Sequence, residues 1–593
     1  MKDSEIKFIQ PPAPEEIEIP DQRDFYSSPA RFGAVPMDEL PLGWEQETRK
    51  RETKITKFQH LYPRITLPFQ EVKRVDFGHN AEFLKQNESN PKLKELFPTS
   101  ANRLFFGDKN EVRSFTDIWE GGMPGYLIWL NARLVEMKHL LKPTGSIYVH
   151  LDWHACHYVK VEMDKIFGND NFVNEIVWWY KRWSNAARNY QRMHDVILFY
   201  RKTNQYKFIV QYQAYSQPDA IEDTVRGVID GKLVRLKDEN GDYVKREKDN
   251  KGVPCHDVFN IQHVQPTARE RIGYPTQKPV KLLERIITGA SERGDVVADF
   301  FCGGGTTPAV AQCLNRRWIA CDQSRIAVAI TADRISKIVE EKDIRQMFLV
   351  PDFTIEHWGI YEIPQLEVLN EAKFRTFVIQ AYGGRPESTS PDIHGLRHGV
   401  PLYVGQPSRK TSIGRDDVAK FAKAVFEEKH GHAGTMLAWN FSPEARKAAE
   451  ILALRENKRI DFVRLSLVRL ESSDYREHVI SKKKEYEELL SFIQPPQVRI
   501  KTRRIERLRY EFDVSESVSL NRDGVIANVQ WDFDYKSRFT TTQGYSFLRD
   551  KKTETPILVV EYSFPKAGQY NVGCSVQDDQ GGERTEIFRL EVS

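Results

Sequence analysis

Asp299 and Asp322 stand 23 positions apart, and between them lie three consecutive glycines, Gly303, Gly304 and Gly305. One apolar run, Val296-Val297-Ala298, leads into the first acid. A second, Trp318-Ile319-Ala320-Cys321, leads into the other, and Pro308 to Leu314 between them has the composition of a helix. Strand, glycine turn, helix and strand make a βαβ unit. Its spacing is close to the roughly 20 residues that separate turn and ribose-binding acid in nucleotide-binding sheets. The chemistry on offer is recognition of a nucleoside. Glycines let the backbone approach a ligand that a Cβ would hold off, and one carboxylate can accept both donors of a ribose diol. A strand–helix turn with no ligand would need the glycines but not the second acid.

The wording of the turn narrows the ligand. Asp299-x-Phe301-x-Gly303-x-Gly305-Thr306 departs from the dinucleotide order Gly-x-Gly-x-x-Gly, which disfavours an oxidoreductase. It resembles the S-adenosylmethionine motif of DNA amino-methyltransferases. Thr276-Gln277-Lys278-Pro279, ahead of the helix Val280 to Ala290, resembles that family's other cofactor element. The helical wording Tyr126 to Leu141, the stop Lys142-Pro143-Thr144-Gly145 and the strand Ser146 to Leu151 extend the likeness to about residues 60–345. The resemblance implies an α/β, Rossmann-like sheet that binds S-adenosylmethionine. Lys278 and Pro279 would lie near the methionine end, Asp299, Phe301, Gly303, Gly305 and Thr306 at the turn, and Asp322 on the ribose. It further implies methyl transfer to adenine N6 or cytosine N4 of double-stranded DNA, with adenine favoured by the subfamily's wording. The setting would be restriction-modification, with a companion restriction subunit as a further partner.

One element of the resemblance is missing. After Asn102-Arg103-Leu104-Phe105-Phe106-Gly107-Asp108 the family runs through a helix into a strand ending Asp-Pro-Pro-Tyr or Asp-Pro-Pro-Phe. Here the chain passes directly to Arg113-Ser114-Phe115-Thr116-Asp117-Ile118-Trp119, so a few tens of residues are absent, one strand of the sheet among them. That loss has a chemical meaning. The lone pair of an exocyclic amine is delocalised into its ring. An acid or amide oxygen and a proline-held carbonyl must accept its hydrogens while an aromatic ring stacks on the flipped base. The nearest substitutes are Asp117 and Trp119, with no proline to fix the turn. The expectation is a methyltransferase whose activity the gap would remove. The alternative is a non-catalytic DNA-binding or regulatory protein that keeps the cofactor fold.

Contact with DNA is best placed after residue 178. Seven basic residues stand against one acid between Trp178 and Lys207. Among them Lys181, Arg182, Arg188 and Arg192 are interleaved with Trp183 and other rings, a mixture that neutralises phosphates and stacks on bases. A solvated basic strand face would read the same way. His150, His154 and His157 have helical spacing, but His150 belongs to the strand before them. A hydrogen-bonded turn is therefore expected rather than zinc, and no metal site is assigned.

The elements that position these groups follow from the rest of the chain. At 593 residues it is too long for one core, and its net charge of +3 argues for no nucleic acid partner by itself. Six cysteines without paired spacing fit a reducing, cytoplasmic setting, and no apolar run approaches the ~20 residues of a membrane span. Residues 1–60, rich in proline and charge, read as an extended arm, and 61–345 as the catalytic module, with a target-recognition region at about 181–262. Residues 346–470 alternate strands and helices in an order that resembles a restriction-nuclease core. Asp392 could serve as its first acid, but Pro401-Leu402-Tyr403-Val404 lacks the second pair. Ser481 to Ile493 reads as a charged helix closing a stretch, 471–497, that ends in the linker Gln494-Pro495-Pro496-Gln497. Residues 498–593 alternate like a β-sandwich and resemble the polycystic-kidney-disease-type immunoglobulin-like domain.

Overall fold

A computed structural model of the chain describes residues 68–75, 89–96, 101–106, 122–182, 190–214, 222–229, 232–247, 252–341, 352–387, 390–429, 431–454, 463–475, 490–550, 553 and 555–593. The arm before residue 68, the helical wording at Asn80 to Gln86 and the whole of 107–121 lie outside them.

In chain order the first elements are β1 (Phe69–Val75), β2 (Asn102–Phe106), α1 (Gly122–Leu140), β3 (Ser146–Leu151), α2 (Cys156–Phe167), β4 (Phe172–Trp179) and β5 (His194–Arg201). There follow β6 (Val258–Asn260), α3 (Val280–Ala290), β7 (Val296–Asp299), α4 (Thr306–Cys313), β8 (Arg317–Asp322), α5 (Arg325–Glu341) and β9 (Phe353–Trp358). They make two sheets rather than one. The first has the order β1-β9-β2-β8-β7, parallel except for β1. The second has the order β6-β4-β5-β3.

Central strands of the first sheet are apolar on both faces because helices cover both. Leu104, Phe106, Trp318, Ala320, Phe353 and Ile355 are buried with Val310 of α4 and Val328 and Ile335 of α5. One polar group sits inside this core. Asn102 accepts the Trp318 N–H on Oδ1 (3.0 Å) and donates from Nδ2 to Gln312 Oε1 (3.1 Å), which also accepts the Trp318 indole N–H (2.7 Å). The network ties β2 to β8 and α4, and every removal leaves a buried partner unsatisfied.

β7 departs from expectation. Its sequence reads as a buried strand, yet Val296 and Val297 are half-buried and Ala298 is exposed. It is an edge, paired only with β8 among the described residues. The boundary expected at 345 also moves, because β9 lies inside the first sheet, parallel to β2 and antiparallel to β1.

In the second sheet, α1 and α2 cover one face, where Leu127, Leu134, Val159 and Met163 pack on Leu151, Val196 and Leu198. Leu282 of α3 packs on the other, against Trp178, Tyr180, Ile197 and Phe199. Short hairpins such as Arg226–Ile229 with Lys232–Arg235 occupy the region between β5 and β6.

Next come β10 (Ile360–Glu362), α6 (Glu371–Ala381), β11 (Arg385–Pro386), β12 (Gly395–Arg397), β13 (Val400–Val404), α7 (Arg415–Lys429), β14 (Ala433–Ala438), α8 (Pro443–Leu454), β15 (Arg464–Arg469) and β16 (Ser491–Ile493). β11 to β15 form a sheet in sequence order, and β13 carries neither acid nor lysine. Ser491–Ile493, expected to end a helix, is instead a strand parallel to β10. Its residues stand before Pro495-Pro496, where the chain is held extended. Finally β17 (Lys501–Glu506), β18 (Arg509–Asp513), β19 (Ile526–Asp532), β20 (Val559–Ser563), β21 (Gly568–Asp578) and β22 (Glu583–Val592) form a sandwich of two three-stranded sheets around Phe512, Trp531, Phe533 and Cys574. Among the described residues no helix is long and apolar enough to cross a membrane.

Replacing Asn102 by Ala leaves the Trp318 N–H without its acceptor, and is expected to cost about 2–3 kcal/mol. The urea midpoint followed by hydrogen exchange in β2 and β8 should fall, while exchange in β21 and β22 stays as it was.

Candidate functional site

The glycine turn follows β7 and is held from below by α5. Gly303 and Gly305 have φ of 49° and 70°, in the left-handed region. Close packing adds a second reason for glycine. A Cβ on Gly305 would lie 2.5 Å from Thr331 Oγ1, and one on Gly304 would lie 2.9 Å from Ile272 Cδ1. Thr331 Oγ1 donates to the Gly303 carbonyl (2.9 Å), and Arg334 Nη1 donates to the Gly304 carbonyl (3.0 Å) and to Thr306 Oγ1 (2.8 Å). Thr306 in turn donates to the Lys278 carbonyl (3.2 Å), which ties the loop ahead of α3 to the turn. Pro279 caps α3 with extended backbone.

The two acids meet at the ends of neighbouring parallel strands, Asp299 being in register with Ala320. Asp322 accepts the Gly303 N–H on Oδ2 (2.8 Å) and the Ser324 N–H on Oδ1 (2.9 Å). Asp299 accepts the Phe301 N–H (3.0 Å). Burial pushes the Asp322 carboxyl up to about 6, with the nearby Asp299 charge adding to the effect. Burial likewise raises Asp299, against hydrogen bonds from Thr307 and Phe301 and the charge of Lys278. Phe301 is 46% exposed, and its ring lies 5.3 Å from that of Trp129 on α1. The result is a strand-end rim that brings together two carboxylates, a backbone without side chains and two aromatic rings.

The sequence reading missed four contributors: Trp129, Thr331, Arg334 and Tyr274, whose ring would lie 3.1 Å from a Cβ on Gly303. Thr331 and Arg334 are three apart on the helix after Asp322 and so share a face, a pattern visible in sequence but lost in a helix buried all round over residues 325–336. It also missed the polar cluster on the second sheet. His150 Nε2 lies 3.1 Å from Asp195 Oδ2. Burial raises Asp195, but hydrogen bonds from His150 and Tyr180 and the charge of Lys278 bring it below its ordinary value. Burial lowers His150.

Of the residues expected on DNA, three are placed. Arg192 stacks over the Trp153 ring at 3.9 Å, with His154 3.6 Å from that ring on a 2.6 Å contact to Asp152. The Arg182 guanidinium lies 4.8 Å over Tyr180 and donates to its hydroxyl (2.6 Å). The Lys181 N–H donates to Gln262 (3.1 Å). These groups line one end of the second sheet. Trp183 and Arg188 lie outside the described residues, as do Asp117 and Trp119. His157, on α2, stands apart from the other two histidines' carboxylate partners.

A carboxyl whose pKa is raised by folding, here from 3.8 to about 6, binds its proton more tightly in the folded chain. Stability from this group therefore falls as pH rises through that window. Replacing Asp322 by Asn is expected to flatten the difference in melting temperature between pH 4 and pH 6.5, as read by calorimetry on both proteins.

Residues 105–333 match a family model described as DNA methylase. The type II methyltransferase M.HpaI of Haemophilus parainfluenzae is 25% identical over 268 residues, covering 42% of this chain and 78% of that protein. The DNA adenine methyltransferase YhdJ of Escherichia coli (strain K12) is 28% identical over 257 residues, covering 42% of this chain and 80% of its own length. Among solved structures, the M1.HpyAVI–SAM complex covers 43% of this chain and 97% of its own at 16% identity and a TM-score of 0.25.

Proposed function

We propose that this chain, whose residues 105–333 match a DNA methylase family model, binds S-adenosylmethionine at the turn between β7 and α4 and presents duplex DNA to it across the rim of the second sheet. The observation that carries the reading is the Asp322 carboxylate, which bridges Gly303 and Ser324 and keeps lone pairs for a diol. These residues fit the cofactor: Asp322 would accept the ribose hydroxyls, Phe301 would pack on the ligand, Asp299 would stand at the turn, and Lys278 with Pro279 would flank the methionine end. Gly303, Gly305 and Thr306 keep side chains out of the way or turned to α5. When bound, the cofactor supplies an electrophilic methyl group on a sulfonium.

What this chain's residues do beyond binding is limited. An amine of adenine, the favoured target, needs two acceptors and a stacking ring to expose its lone pair. The described residues at the rim offer rings (Phe301, Trp129, Trp153) and the two acids, but no proline-held carbonyl after an acid. Lys181, Arg182 and Arg192 act on phosphates, with Trp153 behind Arg192 as a stacking partner. Turnover by the chain as it stands is expected to be weak. The second reading, a DNA-binding or regulatory protein that uses the cofactor fold without turnover, is favoured by one feature, the edge of β7 that pairs with β8 alone among the described residues.

Titration calorimetry should detect S-adenosylmethionine binding, and Asp322→Ala should weaken it by about tenfold or more, the loss of a charge-assisted pair. An intact protein that binds no cofactor refutes the reading. Transfer of labelled methyl to duplex DNA should rise when an Asp-Pro-Pro-Phe strand is inserted after Asp108. Equal transfer without the insertion would show that the chain already contains its acceptors.

A further inference from the structure

The third sheet carries a cavity of about 290 Å³, lined by none of the residues assigned above to the cofactor or to DNA. Its origin can be followed along the strands. On one face of the sheet β13 places Leu402 and then Val404, β14 places Thr435 and then Leu437, and β15 places Ser466 and then Val468. The register sets these as two rows across three strands. The row Val404, Leu437 and Val468 is buried with Phe374, Phe377 and Val378 of α6 and with Tyr475. The row Leu402, Thr435 and Ser466 lines the cavity, where a threonine and a serine are too short to fill the space that leucine and valine fill one row on. Tyr382, the residue after α6, forms a wall there.

Arg397 brings a charge to the same face. It is the last residue of β12, directly opposite Val400 of β13. His398 and Gly399 make the two-residue turn between these strands, and their φ of 48° and 83° are the positive values that such a hairpin needs. The Arg397 guanidinium lies 4.4 Å from the centre of the Tyr382 ring. Side-chain hydrogen bonds from Arg397 and Thr435 hold the Tyr382 hydroxyl. Behind it, the Tyr475 ring stacks on Tyr382 at 5.6 Å and is itself buried in the core. The charged wall is thus fixed from both sides, and a ligand would not have to order it.

The lining decides what could bind. Its polar groups are one guanidinium, three hydroxyls and the His398 imidazole, and no carboxylate lines it among the described residues. A cation would find no countercharge, and an apolar ligand would strand the hydroxyls. An oxyanion is matched by every group: the guanidinium fork pairs with its charge, and hydroxyls donate to its oxygens. Tyr382 and Thr435 share one hydrogen bond, which leaves one of their two hydroxyl protons for a ligand, with Ser466 supplying another. These donors come from three strands and a helix end, so they converge from different directions, as a tetrahedral group requires and a flat carboxylate does not. The volume is at the low end of ligand cavities, ~300–1,000 Å³, so the body attached to that group is small. We propose that this cavity binds the phosphoryl group of a phosphomonoester, with Arg397 on its charge and Ser466, Thr435 and Tyr382 around its oxygens. The site is separate from methyl transfer and does not rest on it. Its ester is either a small free molecule or the 5′ end of a nucleic acid.

Titration calorimetry on the full chain tests it with ribose 5-phosphate, inorganic phosphate and ribose. The two phosphates are expected to bind and ribose is not. Arg397→Gln and Ser466→Asp should each weaken ribose 5-phosphate by about tenfold or more, the first by removing the pairing charge and the second by adding a like one. Ser466 is exposed on its strand, so Ser466→Asp decides the matter if Arg397→Gln, which also loses the ring contact, lowers the melting temperature. Competition by a 5′-phosphorylated oligonucleotide, and none by the same oligonucleotide with a 5′-hydroxyl, would support a nucleic-acid end as the source. Competition by neither would support a small free ester. Failure of both phosphates to bind the folded chain overturns the proposal. So does binding of equal strength in the unaltered chain and both variants, which would put the anion elsewhere.

Discussion

The arrangement at the rim depends on one carboxylate. Asp322 stands at the end of β8 and accepts N–H groups from two separate loops, one after each of two parallel strands. That is possible only because β7 and β8 are neighbours in register, which brings the residue after one strand and the turn after the other to within hydrogen-bond distance. The position is costly for an ion, and burial raises its pKa to about 6. A group held where it is poorly solvated, with lone pairs to spare, is suited to a ligand that brings its own donors. Removing water from such a site strengthens each contact a ligand makes there.

How much of this could be read from the chain varies with the physics behind each feature. The βαβ unit was legible because its signals are local: apolar runs, adjacent glycines and an acid at a fixed distance. The helix Val280–Ala290, bounded by Pro279, and the strands Ser146–Leu151 and Val400–Val404 were legible for the same reason. The support beneath the turn was not. Thr331 and Arg334 sit on a helix whose residues 325–336 are all buried, so no amphipathic stripe marks them. The pairing of His150 with Asp195 was hidden by a separation of 45 positions, which only the antiparallel register of β3 and β5 brings together. Edge status was the least legible of all. Val296-Val297-Ala298 has the composition of a buried strand, and its exposure goes with its having one strand neighbour among the described residues, which no local pattern encodes. Ser491–Ile493 failed differently: charged helix-formers precede it, but the two prolines after it set the local backbone.

The third sheet shows that topology and chemistry part company. β11 to β15 keep the strand and helix order that suggested a nuclease core, and β13 and β14 run parallel with α7 between them. The strand that should carry the metal-binding pair presents Pro401, Leu402, Tyr403 and Val404, and His394 spends its Nδ1 on the Val404 N–H (2.8 Å). Among the described residues no group of acids, histidines and cysteines could hold a metal ion, and strand order alone says nothing about cleavage.

The helix α5 has a second set of contacts. Thr331 and Arg334 hold the glycine turn, while Asp333, between them, accepts the Thr541 N–H (2.7 Å) from the terminal sandwich, and Arg325 at the helix start pairs with Glu583. Tyr274, which packs on the turn, has its ring 6.2 Å from that of Phe547. A rod gripped on one side by the glycine turn and on the other by the sandwich cannot shift toward either without moving the other. Thermodynamic reciprocity then applies: a ligand that steadies the turn tightens the sandwich against α5, and anything that seizes the sandwich is felt, by an equal free energy, at the rim. The outermost module of the chain is thereby a handle on its innermost loop.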